Sequence, residues 1–144
     1  MKRFLPILFI LTVFCLFITL SRQTIRDVSA VLASHVVVSE IQVGGGTTTD
    51  EFVELYNPTN STVNMTGWEL KRKTAAGTES LVATVSGSIA SHGYFLLAHT
   101  DYDGLVAEDQ TYSENIASNN TVLLYSDSGV TVVDKVGMGT AVDF

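Results

Sequence analysis

Residues 50–70, DEFVELYNPTNSTVNMTGWEL, constrain the fold more than any other stretch of the chain. Strand alternation puts Phe52, Glu54 and Tyr56 on one side of an extended run and Val53 and Leu55 on the other. Apolar residues on both sides suit a strand inside a two-layer β protein. The run stops at Asn57-Pro58, because proline removes a ladder donor and holds the residue before it extended. A short polar stretch follows, broken only by Val63 and Met65, before Gly67-Trp68-Glu69-Leu70 starts a new extended run. Trp68 is the expected centre of the core.

The rest of the chain continues this rhythm. Further strands are expected at 34–43, 67–73, 80–85, 94–99, 120–126 and 130–136, with a short one near 87–89. In the first of these, Val36, Val38 and Ile41 suit burial. Gly44-Gly45-Gly46 followed by three threonines reads as a hairpin connection. Triple glycine also occurs in phosphate loops, but neither a helix nor a Gly-Lys-Ser/Thr sequence follows. Asp127-Ser128-Gly129 closes a last hairpin. Residues 100–118 form a long, acidic, irregular stretch. Short, evenly spaced strands with no helical period indicate an all-β sandwich.

Several of these segments resemble the lamin tail domain family, an immunoglobulin-like antiparallel β-sandwich. That family's central pattern is matched by Glu51-Phe52-Val53-Glu54-Leu55-Tyr56-Asn57 and Val63-Asn64-Met65-Thr66-Gly67-Trp68-Glu69-Leu70. Val37–Ile41, His92–Ala98, Ser118–Leu124 and Gly129–Asp134 are similar to flanking pieces in the same order. The resemblance spans about residues 36–139 and implies structural roles for Glu51, Phe52, Glu54, Leu55, Asn57, Gly67, Trp68 and Leu70. Family members commonly accompany enzymatic or surface-anchoring domains. The chain ends at Gly139–Phe144, where members usually continue, so a further segment is expected beyond it.

The first 33 residues are set apart as a signal peptide or signal-anchor helix plus linker, leaving 34–144 as the sandwich. Lys2-Arg3 precede an apolar run from Phe4 to Leu20, 17 residues interrupted only by Pro6, Thr12 and Thr19. Cleavage after Ala33 and retention as a membrane anchor are both open: the run is short for a span, and the cleavage site is distant from it. Either way the domain is expected outside the cytoplasm, secreted or held at the membrane. The only cysteine, Cys15, lies in this run, so no disulfide supports the sandwich. A short, cysteine-free exported domain reads as bacterial.

Beyond residue 33 the basic residues are Lys71, Arg72, Lys73 and Lys135, against 14 of the chain's 15 acidic ones, for a formal charge of 4 − 14 = −10. Such a domain repels phosphate backbones and anionic lipid, and no nucleic-acid partner is expected. Lys71-Arg72-Lys73 reads as an exposed strand end or edge. Glu51 and Glu54 are expected to face solvent or to pair with Lys71 or Lys73. His35, His92 and His99 show no zinc spacing, and no G-x-S-x-G motif marks a nucleophile. Asp101, Asp103, Glu108 and Asp109 are weak calcium candidates, without the EF-hand spacing.

The resulting expectation is an exported, non-catalytic binding or scaffolding module. It would serve surface adhesion or the targeting of an attached domain, with a protein or cell-surface ligand and no required cofactor. Two alternatives remain open: the N-terminal part of an exported nuclease or phosphoesterase, and a weakly calcium-dependent surface module.

Overall fold

The computed structural model describes residues 32–141, within the unit Leu32–Phe144. The expected N-terminal helix lies outside the described residues. Every regular element within them is a strand. In chain order they are β1 (Val37–Val43), β2 (Glu51–Tyr56), β3 (Val63–Asn64), β4 (Glu69–Lys73), β5 (Glu79–Thr84), β6 (Ser88–Ile89), β7 (Tyr94–His99), β8 (Gln110–Tyr112), β9 (Thr121–Ser126) and β10 (Thr131–Gly137).

β2 shows why the strands form. Glu51, Val53 and Leu55 turn inward and are buried, while Phe52, Glu54 and Tyr56 stay half-buried on the opposite face. Turn chemistry sets where each strand ends. Asp127, Ser128 and Gly129 all have positive φ, the conformation that closes the β9–β10 hairpin. At the other hairpin, Asp50 accepts the Gly46 amide at 3.0 Å and the Gln42 side chain donates to the Asp50 carbonyl at 2.8 Å. This internal carboxylate occupies the glycine-rich loop's amide.

Two four-stranded sheets result, ordered β1-β2-β7-β8 and β10-β9-β4-β5, with a small β3-β6 ribbon beside them. Between the sheets lies one core. Val53, Leu55, Phe95 and Leu97 come from the first sheet, and Leu70, Ala83, Val122 and Leu124 from the second. The chain crosses from β2 to β4 and returns through β6 to β7, so β7 pairs antiparallel with β2. This is an immunoglobulin-like sandwich.

Four expectations need correction. Trp68 is not the core's centre: it is half-buried and packs against the rim of the core. It precedes β4, in a turn where its amide donates to the Met65 carbonyl at 2.9 Å. Gly67 makes that turn at φ +84°, a conformation costly for other residues. Leu70, two residues on, is the side chain that enters the centre.

Lys71-Arg72-Lys73 does close a strand, as the last three residues of β4, but half-buried and not at a sheet edge. β4 lies between β9 and β5, and its charges are partnered within the fold. Residues 100–118 are not wholly irregular, because Gln110–Tyr112 form β8, which pairs parallel with β7. Asp109 secures that pairing from both ends of its residue. Its amide donates to the Leu96 carbonyl at 2.9 Å, and its carboxylate accepts the Leu96 amide at 2.8 Å.

The fourth correction concerns Glu51. It does not face solvent but is buried, and its Oε2 accepts the Ile116 amide at 2.8 Å. A carboxylate inside a protein needs such a donor to offset its lost hydration.

Candidate functional site

The motif residues divide into those that hold the fold and those that shape a surface. Asn57 holds the fold. Fully buried, it shares its side-chain amide among the carbonyls of Ser61, Ile89 and Ala90 and accepts both donors of Thr59. It thereby ties the turn after β2 to the turn before β7. Glu51, Leu55, Gly67 and Leu70 are likewise spent on the interior or on turns.

The outward residues of β2 form a surface with its neighbours. Phe52, Glu54 and Tyr56 stand opposite Gln42 and Glu40 on β1 and Ala98, Leu96 and Tyr94 on β7. The β7–β8 connection folds over part of this face. There the edge of the Tyr102 ring meets Phe52, with centroids 5.7 Å apart and planes at 77°. At the far end Tyr56 and Tyr94 lie 4.9 Å apart, tilted by 34°. Between the two aromatic pairs is an open concavity of about 210 Å³, floored by Leu96 and walled by Val106 and Ala107.

Three carboxylates line it: Glu40, Glu54 and Asp109. Glu40 and Glu54 are direct cross-strand partners, an arrangement that costs stability when both are charged. One Glu54 oxygen accepts the Ser39 hydroxyl at 2.7 Å. No lysine or arginine belongs to this sheet, because the only lysines and arginines between Arg26 and Lys135 are the triplet on β4. The face is therefore acidic, aromatic and without a lysine or arginine of its own. Chemically it suits recognition: rings for stacking, carboxylates for a cation. A second concavity, about 250 Å³, lies at the seam between β1 and β10 and is mainly aliphatic.

The four calcium candidates do not come together. Asp101 accepts the Thr49 hydroxyl at 2.8 Å, and the Asp103 amide donates to Asp50 at 3.4 Å. Asp109 serves the β7–β8 pairing, and Glu108 is exposed. Among the described residues no three His, Cys, Asp or Glu side chains are grouped to hold a metal ion.

Of the histidines, His35 is exposed ahead of β1, and His92 bonds Asn60 at 3.0 Å from a turn at φ +55°. His99 is buried. Its Nδ1 accepts the Asp101 amide at 3.1 Å, and its Nε2 lies 3.3 Å from the Ser113 carbonyl. Beside it Tyr112 is buried, and its hydroxyl has no hydrogen-bond partner among the described residues. Burial first, and the neighbouring Glu51 second, push this hydroxyl well above the usual tyrosine range.

The concavity itself was not anticipated as a site. The alternation Phe52-Glu54-Tyr56 was the available signal, but it does not say which strand lies alongside. No curated protein matches the chain. A family model, Lamin Tail Domain, matches residues 31–140. That match covers both sheets, the motif residues and the acidic face, and so the chain belongs to the lamin tail domain family, whose members are immunoglobulin-like binding modules.

Proposed function

We propose that the protein is an exported, non-catalytic binding module, serving adhesion at the cell surface or the targeting of an attached domain. The observation that carries this reading is the acidic, aromatic concavity on the first sheet. It offers aromatic rings and carboxylates as contact groups for a partner. Export is supported by the basic-then-apolar N-terminus, Lys2-Arg3 followed by Phe4–Leu20. The charge of the remainder argues against nucleic acid and anionic lipid as partners.

The test is protease shaving of intact cells that express the full chain with a C-terminal epitope tag, together with assay of the culture medium. Tag in the medium, or surface tag removed by protease, supports export. A tag that stays inside and becomes digestible only after lysis overturns it. N-terminal sequencing of the exported form separates a cleaved leader, starting near Ser34, from a retained anchor.

A further inference from the structure

We infer that the concavity on the outer face of the first sheet receives lysine or arginine side chains from a basic segment of a protein partner. This inference rests on the binding-module reading and names the partner's chemistry. Charge complementarity selects the occupant. Glu40 and Glu54 sit directly opposite each other, so two like charges are held together where no cation of the same sheet relieves them. An incoming ammonium or guanidinium removes that repulsion. The Phe52, Tyr94 and Tyr102 rings border the same space, and cations favour aromatic faces. The apolar floor at Leu96 accommodates the alkyl stem of a long basic side chain.

The chain's own cations on β4 are poor occupants. Lys71 is bound to Glu69 and Glu79 and lies over Tyr125. Arg72 reaches Ser80, Glu114 and the Asn115 carbonyl, and Lys73 is also partnered. Lys135 on β10 is exposed, so a second copy offering it is an outcome that the test below separates from a partner protein. Anionic surfaces are repelled by the carboxylates.

The experiment is fluorescence anisotropy on the purified, folded protein. The probes are labelled peptides alternating lysine with glycine, arginine with glycine, and glutamate with glycine, each at low and high salt. Binding of both basic peptides, none of the glutamate peptide, and weakening at high salt are expected. The double variant Glu40→Gln/Glu54→Gln should weaken binding about tenfold and Tyr102→Leu about threefold, in line with ordinary charge-pair and cation–π magnitudes. Glu69→Gln, which removes charge on the other sheet, should leave it unchanged.

Equal losses in Glu69→Gln and in Glu40→Gln/Glu54→Gln would mean unspecific attraction and overturn the inference. So would salt-sensitive self-association in sedimentation, which identifies a second copy as occupant. Binding of neutral cello-oligosaccharide with the basic peptides silent would overturn it in favour of a glycan. Thermal melts confirm that each variant is folded. Protein that is folded and surface-exposed but silent toward basic peptides removes this inference alone and leaves the export reading standing.

Discussion

The two sheets present opposite solutions to the same surface problem. Each outer face carries glutamates beside tyrosine rings. On the second sheet, Lys71 stands between them, 3.1 Å from Glu69, 3.6 Å from Glu79 and 4.5 Å from the centre of the Tyr125 ring. The hydrogen bond to Glu69, more than any other influence, pushes the Lys71 ammonium above its ordinary value, and burial first pushes up the Tyr125 hydroxyl. That face satisfies itself. On the first sheet Glu40 meets Glu54 with no lysine between them, and the rings border open space. The difference teaches that interposed lysines separate a face closed on itself from one open to a partner.

The largest test concerns what the sheets share. Leu55 and Leu124 are fully buried on the two inner faces of one core. Leu55→Ala and Leu124→Ala should each cost about 2–5 kcal/mol in urea unfolding, from lost burial and residual cavity. A cost below about 1 kcal/mol for either would break the picture of one core built equally by both sheets.

Alkaline titration comes next. Tyr112 on the first sheet, and Lys71 and Tyr125 on the second, all hold their protons more tightly when folded. A raised folded value means stability is fully present below the unfolded value and is lost as pH rises above it. The fall should therefore begin near pH 10, the ordinary tyrosine value of 10.0, and steepen past the ordinary lysine value of 10.5. Tyr112 alone supplies a slope of up to about 1.4 kcal/mol per pH unit. Tyr112→Phe should flatten that slope in denaturant melts across the range. It should change stability at neutral pH by less than about 1 kcal/mol, because the hydroxyl it removes has no described partner. An unchanged alkaline slope in Tyr112→Phe would contradict its burial.

The smallest effects sharpen the contrast most, because they have opposite signs. Lys71→Met should destabilise by up to about 1 kcal/mol, the scale of a surface ion pair. Glu54→Gln should stabilise by about 0.2–1 kcal/mol through relief of a cross-strand like-charge pair. Calorimetric melts of the two variants, at low and high salt, compare the faces directly. Two changes of the same sign would dissolve the distinction.

How far the sequence led depends on the range of the interaction involved. Asn57, Gly67 and Leu70 were legible as special because their pattern is local: a strand end, a tight turn and a strand re-entry. Glu51 and Trp68 misled for one reason. Composition puts carboxylates outside and tryptophan inside, but the Ile116 amide, 65 residues along, draws Glu51 inward, while the turn at Gly67 leaves Trp68 at the rim. β8 was missed because three residues carry little periodicity, and its pairing depends on Asp109 meeting Leu96. The acidic face was only half visible, since Glu40 and Glu54 lie on strands whose register shifts between Val38 and Glu40.

By itself the sequence determined most of the strands, their turns, the excess of negative charge and the family. Alternation and backbone preference act between near neighbours, and charge adds up wherever it lies. Only the tertiary structure decided which strands are adjacent, that the basic triplet lies inside a sheet, and that three carboxylates share a hollow with three aromatic rings. Those facts follow from burying two inner faces against each other, and that burial settles what remains opposite what on the outside.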